Sequence, residues 1–449
     1  MLFALFASLL SVIVAPAGQT PQIRSGTNPI SVPAMLVQPA HPNVKQNGSS
    51  FVVLRFPHPL SSAYGPFAST PDDAVYFVEK HLTIGRMSLD GVFREIQVAE
   101  TGPSLFYFNS SFYMSHTLDG GTPLDGMTRY SSDFLHRQYF QSRARINSFA
   151  SGSDGNVYAS AQYEPNPGSF LGEIVRYDRA GTQTFYPIPA LPSNLVTAND
   201  GKLYFAFYGQ CTPECGTGIG RLENNGSVTL FPVKDPCYLP DSLTAANGAL
   251  YFNCDLKNVF GRMELNGAFS YFPYPKGFTY INSTYSYFSQ ADHEGNIWGY
   301  LFPDAGSVNL YRFDTTSNRF VGPVLATTIN SRNTYAVATP YVAADDNVWT
   351  LQKDPTSGLV TGFGVYVQHV QTLQPKAFSL LAGTSNVLAI SETLYRGPWT
   401  AKSLNPSIAT VTARSLNGKV QVSGVRPGVT SIAVSDNFGN TSSVSVAVH

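Results

Sequence analysis

Two residues of this sequence could together perform acid–base chemistry. Glu79 and His116 each stand three places after a tyrosine, Tyr76 and Tyr113, near the end of a short run of apolar and aromatic residues. If those runs are equivalent strands of adjacent repeats, both side chains lie near one face, where a carboxyl and an imidazole can pass a proton at neutral pH. A plainer alternative is a hydrogen bond that satisfies buried polar groups between repeats. His81, two residues beyond Glu79, reads as a rim residue, and His136 in Phe134-Leu135-His136-Arg137 falls near the join of two repeats. Cys211, Cys215, Cys237 and Cys254 lie in one short region and nowhere else. In an exported chain they predict two local disulfides, with three pairings open. A zinc site of four thiolates is the other option, although only Cys211 and Cys215 are closely spaced. The paired aspartates, such as Asp72 and Asp73, match no calcium-loop spacing, and turn chemistry accounts for them. Neither a Gly-x-Ser-x-Gly elbow, a phosphate loop nor a His-Glu-x-x-His motif occurs.

The elements that position these residues follow from composition. With 43% hydrophobic residues, the 449-residue chain can bury a large core, and its 25 Tyr and 30 Phe favour strands over helices. A formal net charge of −1 leaves no basic footprint for nucleic acid. Residues 2–15 form an apolar run followed by Pro16-Ala17-Gly18, which reads as an export signal over residues 1–18. Because no positive charge precedes the run, an uncleaved membrane anchor is the alternative. The expected location is outside the cell or in a bacterial envelope, in the periplasm or on the surface. The chain is expected to be a monomer that meets an extracellular or envelope ligand. Residues 19–50, rich in Pro, Gly, Ser and Asn, read as a linker.

From residue 51 onward the chain repeats. Turns that precede an apolar-aromatic strand recur at Gly155, Gly201, Gly248, Gly295 and Asn347, with spacings of 46, 47, 47 and 52. An earlier turn at Asp73 lies 82 residues before Gly155, and a worn copy at Asn109-Ser110-Ser111-Phe112-Tyr113 fills that gap. Third strands carry Ile84-Gly85-Arg86-Met87, Ile219-Gly220-Arg221-Leu222 and Phe260-Gly261-Arg262-Met263, and fourth strands end in proline, as at Pro187, Pro232 and Pro273. Seven units of this length predict an all-β fold, a seven-bladed β-propeller over residues 51–375. Residues 51–57 have the form of a fourth strand with no partners ahead of them, and the last unit lacks one. They are therefore expected to complete the seventh blade and close the ring. Residues 376–449 alternate apolar and polar residues between turns at Asn417-Gly418 and Arg426-Pro427-Gly428, a small β-sandwich pattern.

Within that last segment, Asn405-Pro406-Ser407-Ile408-Ala409-Thr410-Val411 and the run from Gly424 to Thr430 resemble bacterial Ig-like domains, which implies a spacer or adhesive module. The repeat marks of residues 51–370 resemble the virginiamycin B lyase (streptogramin lyase) propellers. In that family, strand glutamates hold magnesium and a histidine opens a cyclic ester by elimination. The glutamate positions fall here on Glu79, His116, Ala161, Phe207, Cys254, Leu301 and Gln352. Gly65, Gly102, Asn147, Ser193, Pro240, Tyr287 and Ala338 stand where the resemblance places the histidine. The expectation is an exported, non-catalytic propeller without a cofactor. It would present a carbohydrate- or peptide-binding face through the loops that begin at Tyr163 and Tyr208. The alternative is a divergent lyase centred on Glu79 and His116, with magnesium on Glu79.

Overall fold

The computed structural model describes residues 45–46 and 49–449, except 61–62, 71–73, 80–81, 89–91, 99–101, 103, 117–125, 143, 167–168, 210–215, 256–258, 277–286, 293, 302–307, 328–339, 344–346, 355–356, 369–370, 393–398, 416 and 436–440. The apolar run 2–15, His81, Cys211 and Cys215 lie outside the described residues. Every regular element described is a β-strand.

Seven sheets of four or five antiparallel strands form between residues 45 and 368 among the described residues. The first is built from Ala63–Thr70, Ala74–Glu79, Thr83–Ser88 and Phe93–Gln97, in chain order. The second repeats this with Leu105–Phe108, Ser111–His116, Gly126–Ser131 and Arg137–Gln141. First strands of successive sheets touch one another, so they line the axis, and the fourth strands lie outermost. Each sheet is thus a blade of a propeller.

Ser49–Leu60 pairs antiparallel with Val360–Gln368, running from Ser49 opposite Gln368 to Leu60 opposite Val360. This strand is the fourth from the axis in the sheet that also holds Tyr341–Val342 and Val348–Lys353, and the short strand Lys45–Gln46 pairs along its outer edge. The first and last repeats of the chain are thereby stitched together by backbone hydrogen bonds. Leu54, Phe56 and Leu60 then share a core with Phe77 and Phe93 of the first blade and Phe363 of the last.

Alternation along the second strands divides the core between blades. Tyr76 and Val78 point toward the second blade, where they meet Phe112 and Met114, whereas Val75 and Phe77 point toward the seventh. The same parity holds in the second blade, where Tyr113 faces the third blade and Met114 the first.

Two sheets follow, formed by strands from Gln371–Gln374 to Thr441–Val448. They share one apolar core that includes Leu388, Trp399, Val422, Ile432 and Val446. One boundary shifts here. Gln371–Gln374 pairs with Ser385–Glu392, so this unit starts before residue 376. Ala377–Leu380 joins one sheet and Ser385–Glu392 the other. Between them a turn donates the Thr384 N–H to Leu381 and moves the chain across the sandwich.

Candidate functional site

Glu79 closes the strand Ala74–Glu79 on the Val75 and Phe77 side, toward the seventh blade, and is 7% exposed. Its side chain reaches across Gly85 of the next strand. A Cβ at Gly85 would overlap both the Phe77 ring and Glu79 Oε1, so glycine is required for this crossing. Gly85 pairs with Glu95 of the outer strand, which meets the carboxyl of Glu79 from the far side. Burial, reinforced by the charge and hydrogen bond of Glu95, pushes the Glu79 carboxyl up to about 8. Glu79 therefore holds a proton at neutral pH. His58 Nε2, from the closing strand, lies 3.2 Å from Glu95 Oε1, extending the group outward to solvent.

His116 ends the strand Ser111–His116 and is also buried. Its Nε2 shares a hydrogen bond of 2.7 Å with Thr128 Oγ1, and its ring meets Tyr139 edge-on at 5.4 Å. Both partners belong to its own blade. With the parity of Phe112 and Met114, His116 faces the first blade, just as Glu79 faces the seventh. The Glu79–His116 pair expected from the sequence is not brought together. Both residues stand at one end of the propeller, but the sheet of the first blade separates their side chains.

The remaining sequence candidates divide. Tyr208 is exposed at the end of Leu203–Tyr208, at the Glu79 end of the fourth blade. Tyr163 is half-buried against the core between the second and third blades. His136 is exposed, but it lies in the turn 132–136, which joins strands at the end opposite Glu79. It cannot reach the same pocket. Sequence reasoning missed Glu95, His58 and Thr128. The available signal for Glu95 was its position in a fourth strand paired with the glycine of Ile84-Gly85-Arg86.

Cys237 is joined to Cys254 by a disulfide, with Cα atoms 5.1 Å apart and a sequence separation of 17. Both are buried. This bridge ties the entry of the fifth blade to the end of its second strand, one of the seven positions equivalent to Glu79. Closing a loop of this length contributes about 3 kcal/mol by restricting the unfolded chain. Cys254→Ser should lower the unfolding free energy by roughly that amount, and reductant should shift the wild-type denaturant midpoint more than the variant's.

The resemblance to the lyases implies magnesium, and the described residues do not fit it. Glu79 is the lone carboxyl among the seven equivalent positions, is protonated near neutral pH and turns into a seam between blades. Among the described residues, no three His, Cys, Asp or Glu side chains converge on a point that could hold an ion. Magnesium takes a near-octahedral set of oxygens, which the described residues at this end of the propeller do not assemble.

Among solved structures, the chain is similar to a streptogramin B lyase at 19% identity, over 71% of this chain and 97% of that one, with a TM-score of 0.52. It is similar also to a catalytically inactive virginiamycin B lyase from Staphylococcus aureus with quinupristin, at 17% identity, over 71% and 99% of the two chains, with a TM-score of 0.53. The fold is a streptogramin lyase-like β-propeller. No protein-family model matches the chain, and no curated protein does.

Proposed function

We propose that this protein is an exported, non-catalytic propeller that binds carbohydrate or peptide at the Glu79 end of its third to fifth blades. In this reading the C-terminal sandwich is an Ig-like spacer. The observation that carries it is a rim of exposed apolar side chains on three successive blades: Phe170 and Leu171, Tyr208, and Tyr238, the last 65% exposed. Phe170 and Leu171 begin the strand Ser169–Tyr177, and Tyr238 immediately precedes Leu239–Ala246. Thr217, paired with Tyr208, donates its hydroxyl to the Tyr238 carbonyl, so the two tyrosines of this rim are linked. Aromatic rings with one wet edge supply large contact area at low entropic cost, which suits sugar faces and peptide side chains.

The divergent-lyase reading is less well supported, because the carboxyl and the imidazole belong to different seams. Titration of the purified chain with an oligosaccharide array and a peptide library tests the proposal. A ligand should bind, and Tyr208→Ala and Tyr238→Ala should each weaken it about tenfold, in line with loss of an aromatic anchor. Linearisation of a cyclic ester by the wild type with magnesium, abolished in Glu79→Ala, would sink it.

A further inference from the structure

Third-strand arginines recur opposite second-strand aromatics: Tyr113 with Arg129, Tyr158 with Arg176, Tyr204 with Arg221, Tyr251 with Arg262 and Trp298 with Arg312. In most of these blades a carboxylate neutralises the arginine, and it comes from one of two places. The five-residue turn 152–156 between first and second strands supplies Asp154, 3.3 Å from Arg176. Alternatively, the residue two places after the arginine supplies it, as Glu223 does for Arg221 at 2.6 Å and Glu264 for Arg262 at 2.7 Å. Asp314 stands in the same relation to Arg312.

The second blade has neither source. Its first hairpin closes in two residues, Asn109 and Ser110, at φ of 46° and 57°, so the acidic turn is gone. Ser131 occupies the place of Glu223. Among the described residues Arg129 therefore has neutral partners: Nη1 donates to the Arg179 carbonyl at 3.0 Å and Nη2 to Gln138 Oε1 at 2.6 Å. The shortened turn also opens space. A cavity of about 410 Å³ lies between the second and third blades, lined by Asn109, Tyr113, Arg129, Asn156, Asp178 and Arg179. Arg129 and Arg179 both act on the Tyr113 hydroxyl, which places two guanidinium groups and a phenol around one volume. Asp178 is the opposing charge on this wall, and its carboxylate accepts from Thr182 N at 2.8 Å within its own turn.

We propose that this cleft binds the oxyanion of a small ligand, a carboxylate, phosphate or sulfate group. Arg129 and Arg179 supply the charge and the paired donors, and Tyr113 supplies a hydroxyl donor. Planar guanidinium forks match such anions, and a half-buried one without a carboxylate retains its capacity for them. The site is at the opposite end of the propeller from the aromatic rim and is independent of it.

Isothermal titration of the full chain with inorganic phosphate, sulfate and acetate, each in chloride buffer, tests this proposal. At least one anion should bind saturably. Arg129→Gln should weaken that binding at least tenfold. Ser131→Glu should do the same by supplying the carboxylate that Glu223 and Glu264 supply elsewhere. Arg312→Gln and Tyr208→Ala should leave it unchanged, with near-ultraviolet circular dichroism confirming the fold of each variant. Absence of saturable binding by all three anions overturns the proposal, as does wild-type affinity in both Arg129→Gln and Ser131→Glu.

Discussion

A chain that begins at residue 61 should fail to show the cooperative unfolding transition of the propeller. Removing Ser49–Leu60 leaves Val360–Gln368 as a bare sheet edge and takes Leu54, Phe56 and Leu60 from the core. Each buried side chain of this kind contributes roughly 1.5–3 kcal/mol, so the three together contribute about 5–9 kcal/mol before any hydrogen bond is counted. That is comparable to the entire stability of a typical domain, about 5–15 kcal/mol. The effect should concentrate at Phe56, whose ring lies 5.0 Å from Phe93 and 5.5 Å from both Phe77 and Phe363. Phe56→Ala alone should cost about 3–5 kcal/mol. Calorimetry of the truncated and full chains decides the matter, and matching transition temperatures would refute ring closure by this strand.

Glu79→Gln should raise stability at pH 8 and flatten its dependence on pH. The folded protein holds the Glu79 proton up to about pH 8, whereas the unfolded carboxyl releases it near 4.5. The contribution of this group is thus fully present below about 4.5 and is withdrawn as pH rises through about 8, because the folded state retains the proton longer. At about 1.4 kcal/mol per unit, the swing is on the order of 3–5 kcal/mol. Glutamine keeps the shape and the hydrogen-bonding capacity without the charge, so the variant should gain most over the wild type in alkaline buffer and little at pH 4. Since burial outweighs Glu95 as the cause, Glu95→Gln should reduce the slope only in part. Urea denaturation at several pH values measures this, and parallel wild-type and Glu79→Gln profiles would contradict it.

Much of the framework was legible in the sequence because it is local. The turn spacing marks the repeats, and the apolar-aromatic strand expected after the turn at Gly201 is Leu203–Tyr208. The orphan strand at 51–57 announced ring closure, since a fourth strand without partners must find them at the other end of the chain. The site was less legible. Repeat alignment correctly put Glu79 and His116 at the same end of the propeller. It took equivalence for proximity, however, and side chains at equivalent positions of adjacent blades each face the blade before, which holds them apart. The cysteine pairing was likewise open until Cys237 and Cys254 met across Leu239–Ala246 and Ala249–Asp255.

By itself, then, the sequence determined the strands, their turns and the order in which they repeat, because alternation, turn residues and hairpin length act over a few neighbouring positions. The tertiary structure alone decided which groups share an environment. Glu95 reaches Glu79 across the bare backbone of Gly85, and His58 arrives from the far end of the ring. Arg129 faces a cavity because the neighbouring blade leaves a gap beside a shortened turn. Burial and charge are properties of that assembled volume, so the proton on Glu79 and the neutral surroundings of the Arg129 guanidinium among the described residues arise only once the blades have closed.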